Sequence, residues 1–357
     1  MKKQKKNKIV FVVSGFCQEN LRKQPWFTIN KLCEKYLEVN YEVYLITDAQ
    51  KFKFGKIEII SVKKIFNLFS STEETIQCIK KINPSKTYVL IASVGLFFTS
   101  RYKIFNNLTF LIGNNRFYLN EILRLSFKDI LSEFKLLFIP ILSSLIPGSF
   151  LNLALYMIGK YKIVYFSKAA QKRYHQIGFP KGKIFKPLEN KIIKKKSIDF
   201  SKLNKIVLTY FGPPLNVRGI DIVLNVFEKL SYKKKGIYLN LLIRNNNEPY
   251  LKNKMNQLKK QIECSLFKKN ILLDTKYYSK KKLNSKIKAS TINILPFKIT
   301  LSDNPLVLYE AVDTKVPLFI LNTPGISENV KNTNSYISKN SNDLYYKLSN
   351  FIGLDKQ

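Results

Sequence analysis

The sequence contains little arginine, little acid and a single histidine. It has 61 basic and 24 acidic residues, which gives a formal net charge of +37 at pH 7. Only seven of the basic residues are arginines: Arg22, Arg101, Arg116, Arg124, Arg173, Arg218 and Arg244. Because arginine reads base edges and grips phosphates bidentately, this scarcity disfavours a dedicated nucleic-acid-binding protein.

The positive charge has two explanations. One is an anionic partner, such as nucleic acid, an acidic membrane surface or a phosphorylated substrate. The other is codon bias, since Lys, Asn, Ile, Phe and Tyr are abundant together in this sequence. We attribute most of the excess to codon bias, so the positions of the few arginines carry more information than the net charge.

Cysteine is equally sparse. The four cysteines form no CxxC pair and no metal-ligand spacing with His175: Cys17, Cys33, Cys78 and Cys264. This pattern disfavours a zinc site and a disulfide framework, and it fits a reducing cytoplasm. The basic start and short apolar run of "MKKQKKNKIVFVVSGFCQ" lack a small-residue cleavage site, so we interpret the run as a first buried strand rather than a signal peptide.

Short β-rich runs alternate with helical patterns along the chain, which predicts an α/β fold with parallel, doubly wound sheets. The first series of predicted strands comprises Ile9–Ser14, Tyr41–Thr47, Ile57–Val62, Tyr88–Ala92, Leu108–Ile112 and Ile163–Phe166. The second comprises Lys205–Gly212, Ile237–Arg244, Ile271–Asp274, Ile292–Phe297 and Leu318–Leu321.

The two series predict two Rossmann-like domains facing a central cleft, with the active site at the carboxyl ends of the strands. The expected boundaries are residues 1–190 for the first domain, 191–204 for a polar, basic linker, 205–340 for the second domain and 341–357 for a C-terminal helix. A length of 357 residues suits two domains better than one.

One segment interrupts this alternation. Residues 136–159 carry no charge and are flanked by lysines, within a predicted apolar region of about 118–159. Although ~20 apolar residues can span a bilayer, Pro140, Pro147–Gly148 and Asn152 would break a single helix. We predict two short apolar helices lying in a membrane interface, with ordinary core helices as the alternative.

The stretch "SDNPLVLYEA", residues 302–311, follows a predicted strand and has the features of a helix start at Pro305. Asn304 or Asp303 can cap this helix, whose amino terminus would suit a phosphate. Glu310 falls in the second turn, where its carboxylate can accept hydrogen bonds from two vicinal hydroxyls, such as those of a ribose.

The loop "YFGPPLNVRGID", residues 210–221, also connects a predicted strand end to a predicted helix start. Gly212 stands at a strand end, and Arg218 and Gly219 stand at a helix start. Arg244 ends the next predicted strand at the same sheet edge. Two arginines and two helix amino termini at one edge predict a diphosphate-binding site.

These motifs resemble glycosyltransferase family four, whose members have the GT-B fold. "GPPLNVRG" is similar to the family's glycine, basic residue and glycine, and "SDNPLVLYEA" is similar to its "EGFGLPxxEA" loop and helix. "VPLFILNTPGISENV", "NYEVYLITD" and "YFSKAAQKRYHQIGFPKGKIFKPLEN" resemble the family's following strand and turn, second strand and pre-linker element. The resemblance covers most of the chain and is strongest from 205 to 330.

The resemblance implies a set of donor-site residues: Gly212, Arg218, Gly219, Arg244, Asn304, Pro305, Leu306 and Glu310. Ser302 and Asp303, with Glu310, would lie at the catalytic centre. Two departures from the family weaken this assignment: Ser302 replaces the first glutamate of the family's pair, and Pro213 replaces an arginine. His175 falls on a solvent-facing helix and is not assigned.

By this resemblance the chain is expected to be a retaining glycosyltransferase of hexosyltransferase type that uses a nucleotide diphosphate sugar and no metal or other cofactor. Ser14 and Gly15 would lie on the acceptor side, and the acceptor would be a glycan or lipid-linked molecule. Expected partners include an anionic membrane surface but no specific nucleic acid. The expected location is the cytoplasm, peripheral to the inner face of the membrane, in polysaccharide or glycoconjugate synthesis. A weakened GT-B scaffold subunit and a basic nucleic-acid binder are the alternatives.

Overall fold

The computed structural model describes residues 7–67, 71–92, 95–96, 99–105, 107–113, 116–187, 203–244, 249–301 and 305–354. The chain divides into two compact units. The first contains Met1–Ile122, Lys135–Glu189 and Leu301–Asn304; the second contains Leu123–Phe134, Asn190–Thr300 and Pro305–Gln357. Nearly all of the predicted linker lies outside the described residues. One short segment of the predicted first domain, Leu123–Phe134, instead packs with the second unit.

Each unit is built on one parallel sheet. The first sheet has seven strands in the order β3-β2-β1-β4-β5-β6-β7: Lys8–Val12 (β1), Glu42–Thr47 (β2), Glu58–Ser61 (β3), Lys86–Ile91 (β4), Leu108–Ile112 (β5), Lys162–Tyr165 (β6) and Lys183–Ile184 (β7). The second has six in the order β10-β9-β8-β11-β12-β13: Ile206–Phe211 (β8), Ile237–Leu242 (β9), Ile271–Asp274 (β10), Ile292–Leu295 (β11), Leu318–Leu321 (β12) and Ser335–Ser338 (β13). The central strands are buried on both faces, as continuous apolar runs predict. The predicted α/β fold class is therefore confirmed.

Helices connect the strands and cover the sheets. They are Trp26–Glu38 (α1), Glu73–Ile82 (α2), Leu119–Ile122 (α3), Phe127–Ser132 (α4), Phe134–Leu145 (α5), Gly148–Ile158 (α6), Lys168–Gln176 (α7), Ile220–Lys233 (α8), Pro249–Cys264 (α9), Lys280–Lys288 (α10), Leu306–Asp313 (α11), Ser327–Val330 (α12) and Ser341–Phe351 (α13). Thr72, for example, caps α2 by accepting a hydrogen bond from the backbone N–H of Thr75. In α1 the buried side chains recur at helical spacing, at Thr28, Ile29, Leu32 and Cys33.

Helices α5 and α6 form the apolar helix pair that the uncharged segment predicts. They are bent by 84° at Ile146–Pro147. Pro140 lies inside α5 and Asn152 inside α6, so neither residue ends a helix as predicted. Among the described residues no single helix is long and apolar enough to cross a membrane, although this bent pair has sufficient length and composition.

Two buried arginines hold the apolar helix pair in place within the first unit. The Arg116 guanidinium donates to the carbonyls of Ser143, Ser144 and Ile146, at 2.6, 2.9 and 2.8 Å. These carbonyls lie at the end of α5, where no further helical N–H is available to them. Arg173 in turn donates to the Arg116 carbonyl at 2.8 Å and pairs with the buried Glu121 carboxylate at 2.7 Å. Two of the seven arginines in the sequence therefore fix this pair of helices.

Lys298 is one of the residues through which the segment Leu123–Phe134 contacts the rest of the second unit. The ammonium group of Lys298 contacts Asp129 at 2.8 Å and Asp221 at 2.7 Å. Burial opposes ionisation, but the hydrogen bonds with both carboxylates raise the pKa of Lys298. Burial likewise acts against ionisation of Asp129, yet Lys298 and the capping hydroxyl of Ser126 lower the pKa of Asp129 below its usual range. The pair thus stabilises the folded second unit in its charged form.

Replacing Arg173 with Met is expected to lower the free energy of unfolding by roughly 3–5 kcal/mol, because it leaves the Glu121 carboxylate buried without its cation. Arg101→Met is the control, since its ion pair with Glu73 is about half exposed and should contribute less than about 1 kcal/mol. Urea unfolding followed by circular dichroism measures both. Equal losses for the two variants would contradict the structural role of Arg173.

The Asp129–Lys298 pair predicts a pH dependence. Because the folded pKa of Asp129 is lowered, its contribution is complete above its ordinary pKa of about 3.9 and is lost as pH falls through the folded value. We expect Asp129→Asn to be less stable than wild type by about 1.5–3 kcal/mol at pH 7, and the difference to shrink towards pH 2. Urea unfolding of the whole protein, measured for wild type and Asp129→Asn between pH 7 and pH 2, tests this prediction. A difference that stays constant down to pH 2 would show that charge on Asp129 is irrelevant.

Candidate functional site

The carboxyl edge of the second sheet contains a topological switch point between β8 and β11. The chain leaves β8 towards β9 on one side and reaches β11 on the other, so the loops that follow these two strands meet at the same edge. The backbone N–H of Lys298 donates to the carbonyl of Val217 at 3.0 Å, which joins the two loops directly. Ligands of open α/β sheets bind at such points.

Glycine is required in the loop after β8. Gly219 has a φ of +77°, and a Cβ atom there would lie 2.1 Å from the carbonyl oxygen of Pro296. Any other residue would therefore push the two loops apart. Gly212, at the end of β8, has a φ of +136°, and a Cβ atom there would lie 3.9 Å from a guanidinium nitrogen of Arg218. Gly212 is thus bordered by the Tyr210 hydroxyl and by the cation that the sequence predicts as a phosphate ligand.

Arg218 ends a 3-10 turn, Asn216–Arg218, immediately before α8. Its guanidinium stacks on Phe297, with 5.1 Å from its central carbon to the ring centroid, and its side chain is half-buried. Burial lowers the pKa of Arg218, while the neighbouring Tyr210 and Glu133 oppose the shift. An arginine remains charged under these conditions, so the site retains a positive charge for an anion.

The same turn has an acidic neighbour that the sequence did not reveal. The fully buried carboxylate of Glu133 accepts hydrogen bonds from the backbone N–H groups of Asn216, at 2.5 Å, and Val217, at 3.2 Å. The ammonium group of Lys254 lies 3.7 Å from this carboxylate. Two of the N–H groups expected to be available to a phosphate are therefore already engaged. Glu133 is 83 residues from Asn216, and only the capping box Ser126–Asp129 marks the preceding short helix in the sequence.

Arg244 lies in the next loop along the edge. Strands β8 and β9 are in register, with Phe211 opposite Leu242, so Gly212 and Arg244 emerge from adjacent strand ends. The side chain of Arg244 is exposed, and its guanidinium stacks on Tyr277 at 4.4 Å. Arg244 is thus held by an aromatic contact at the predicted sheet edge.

The predicted catalytic loop is described only in part. Ser302, Asp303 and Asn304 lie outside the described residues. Pro305 is buried and occupies the N-cap position of α11, which begins at Leu306, one residue later than the sequence predicts. Glu310 has a half-buried side chain in the second turn of α11, as predicted from its spacing.

In the first unit, Ser14 and Gly15 follow β1, which pairs with both β2 and β4 at the switch point of that sheet. Asp48 organises this loop: its carboxylate accepts hydrogen bonds from the Ser14 hydroxyl and the Gly15 N–H, both at 2.7 Å. The indole N–H of Trp26 donates to the Ser14 carbonyl at 2.8 Å. Asp48 was missed because a lone acid after a strand carries no distinct signal.

Both helices of the apolar helix pair expose large apolar side chains along one face. The exposed residues, at 40–83% of their maximum area, are Phe134, Phe138, Ile139, Leu142, Leu145, Phe150, Leu153, Tyr156 and Met157. The opposite faces are buried, at Leu137 and Pro140 in α5 and at Leu151, Ala154, Leu155 and Ile158 in α6. Exposed apolar surface in such a concentration is typical of a protein or membrane contact.

The described residues do not group into a metal site. Among them, no three His, Cys, Asp or Glu side chains lie close enough together to hold an ion. His175 is exposed on α7, as predicted, and its Nδ1 atom lies 3.1 Å from the Phe179 carbonyl oxygen. The expectation of a metal-free reaction therefore stays a prediction.

Comparison with known proteins gives structural neighbours only. No protein-family model and no curated protein sequence match the chain. Among solved structures, a glycosyltransferase from Rickettsia africae ESF-5 is 12% identical, with a TM-score of 0.59, covering 98% of this chain and 89% of that one. WaaG, a glycosyltransferase involved in lipopolysaccharide biosynthesis, is 12% identical, with a TM-score of 0.57 and coverage of 96% and 90%. A sucrose-phosphate synthase from Thermosynechococcus elongatus is 10% identical, with a TM-score of 0.65 and coverage of 97% and 90%.

These likenesses extend over almost the whole chain and include both sheets. At such low identity they establish the fold and leave the substrate open. The chain has the GT-B fold, which is the fold expected from the resemblance of its sequence motifs.

Proposed function

We propose that this protein is a glycosyltransferase that moves a sugar from a nucleotide diphosphate donor to a glycan or lipid-linked acceptor at a membrane surface. The observation that carries the proposal is the switch point of the second sheet. There Gly219 packs against Pro296, and the guanidinium of Arg218 lies on Phe297 beside the strand end at Gly212. A structural neighbour, a trehalose-6-phosphate enzyme from E. coli, is described as bound to UDP-2-fluoro glucose.

In this proposal the chemistry is hexosyl transfer with retention at the anomeric carbon, without a metal or a protein nucleophile. The departing diphosphate develops negative charge, and the side chains of Arg218 and Arg244 would stabilise it. Glu310 would hold the ribose hydroxyls, and Ser302–Asn304 would lie near the donor sugar. Ser14 and Gly15, fixed by Asp48, would lie on the acceptor side.

The apolar helix pair supports a membrane-bound acceptor. It exposes phenylalanine, leucine, tyrosine and methionine side chains, and it is flanked by Lys128, Lys135, Lys160 and Lys162. This combination suits insertion of the apolar side chains among acyl chains while lysines contact anionic headgroups. The proposed location is the inner face of the cytoplasmic membrane, in polysaccharide or glycoconjugate synthesis.

A catalytically weakened scaffold subunit is the second candidate. Pro213 and Ser302 replace two polar family residues, and Glu133 engages the N–H groups of Asn216 and Val217. Each change removes a donor or acid from the proposed site. Binding of a donor without turnover would favour this candidate.

A thermal-shift panel of UDP-, GDP-, CMP- and ADP-sugars tests the donor site without an acceptor. One nucleotide class should raise Tm by several degrees, because a ligand at ~100 times its Kd stabilises the native state by about 2.7 kcal/mol. Glu310→Ala should weaken binding about ten- to a hundredfold, since hydrogen bonds to a charged group are lost. Glu263→Ala, which removes an exposed carboxylate from the same unit, should bind like wild type. A panel in which no nucleotide shifts the wild type would refute the proposed donor site.

Vesicle flotation tests the membrane surface. The double variant Phe138→Ser and Phe150→Ser should bind phosphatidylglycerol vesicles about tenfold or more weakly than wild type, since burying each apolar side chain contributes ~1.5–3 kcal/mol. The matched control is Leu272→Ser with Tyr346→Ser, whose side chains are similarly exposed in the second unit. Equal flotation of the two double variants would contradict the proposal. Loss of a dimer in sedimentation, with no change in flotation, would instead assign the apolar face to self-association.

A further inference from the structure

Glu133 is the most deeply buried carboxylate among the described residues, with no exposed surface. Each of its two oxygens accepts one backbone N–H, from Asn216 and from Val217. Burial raises the pKa of Glu133, and the two N–H groups and Lys254 act against that shift. Burying a carboxylate without partners costs free energy, so the N–H groups of the turn and the ammonium group of Lys254 stabilise Glu133 in this buried position.

The contact is reinforced on both sides. On the segment side, the Tyr250 hydroxyl donates to the Ser132 carbonyl at 3.2 Å, next to Glu133. On the loop side, the Val217 carbonyl accepts the N–H of Lys298, whose ammonium group pairs with Asp129. The first two residues of the turn, Asn216 and Val217, are therefore tied to the short segment Leu123–Phe134, directly and through Lys298. The turn leads straight into Arg218 and Gly219.

Two roles are physically open to such a carboxylate. It can compete with a phosphate for the N–H groups, in which case its removal would strengthen anion binding. Alternatively, it can fix the turn so that the Arg218 guanidinium stays on Phe297 and beside Gly212. The second role is favoured because Glu133 is fully buried and each of its oxygens accepts a separate hydrogen bond. If its carboxylate moved away to make room for a phosphate, the ammonium group of Lys254 and two backbone N–H groups would lose their partner.

We propose that Glu133 is a positioning residue for the proposed donor site: its carboxylate fixes the turn Asn216–Gly219 and thereby the guanidinium of Arg218. The inference rests on the proposed function, since it concerns binding of the same diphosphate. It assigns a donor-site role to a residue of the segment that precedes the apolar helix pair, more than 80 positions from the loop it holds.

Glu133→Gln tests the proposal with little change in side-chain volume. Its amide can accept only one of the two N–H groups and presents a donor to the other. With inorganic pyrophosphate and the stabilising nucleotide as probes, we expect Kd to rise about ten- to a hundredfold. Glu121→Gln is the matched control: it also breaks a buried ion pair, but in the first unit, and should keep the wild-type Kd at a comparable loss of Tm.

A second measurement needs no ligand. Amide hydrogen exchange of residues 212–220 should be about tenfold faster at Asn216 and Val217 in Glu133→Gln, and unchanged there in Glu121→Gln. An unchanged exchange rate, or a pyrophosphate Kd that is unchanged or lower in Glu133→Gln, would overturn the positioning role. If neither probe binds wild type, the proposed function fails, and the exchange experiment still decides whether Glu133 fixes the turn.

Discussion

Neutralisation of buried carboxylates is the constraint on which both units depend. The chain has 24 acidic residues, and in its described part only three are buried: Glu121, Asp129 and Glu133. All three lie within thirteen consecutive positions, and each faces a basic side chain: Arg173, Lys298 or Lys254. Removing a charge from water is costly unless it is paired, so these three contacts fix the chain path from Glu121 to Glu133, each within its own unit.

The consequences differ in the two units. In the first, Glu121 holds Arg173, which supports the backbone of Arg116, and Arg116 satisfies the carbonyls at the end of α5. This series of contacts fixes the end of α5, and with it the bend between α5 and α6. In the second, Asp129 and Glu133 hold the loops after β11 and β8. One short stretch of acids thus orders both the apolar face and the edge of the proposed donor site.

The sequence predicted what local patterns determine. Alternating β-rich and helical runs were sufficient for both parallel sheets except the edge strands β7 and β13, which were not predicted. The glycine before α8 was found because the loop after β8 has a helix-start pattern. Long-range partners were not predictable. Glu133 accepts a hydrogen bond from Asn216, 83 positions away, and no sequence pattern near either residue indicates this contact. Pro140 was expected to break the apolar segment, yet α5 continues through it, with the Ser144 hydroxyl donating to the Pro140 carbonyl at 2.7 Å. Pro140 is buried in α5, so packing here overrides local propensity.

The occupied N–H groups change how the proposed donor site must work. The turn Asn216–Arg218 has three backbone N–H groups, and Glu133 accepts hydrogen bonds from two of them. Earlier in the same loop, Pro213 has no N–H to donate, and its carbonyl accepts the Tyr210 hydroxyl at 2.7 Å. At this loop a diphosphate is therefore left with the guanidinium of Arg218 and the first N–H groups of α8. Under the proposed function, the remaining binding energy must come from the segment that leads into α11, from Glu310 and from Arg244. Under that function, recognition shifts from the loop after β8, which contains Gly212 and Gly219, to the neighbouring strand ends.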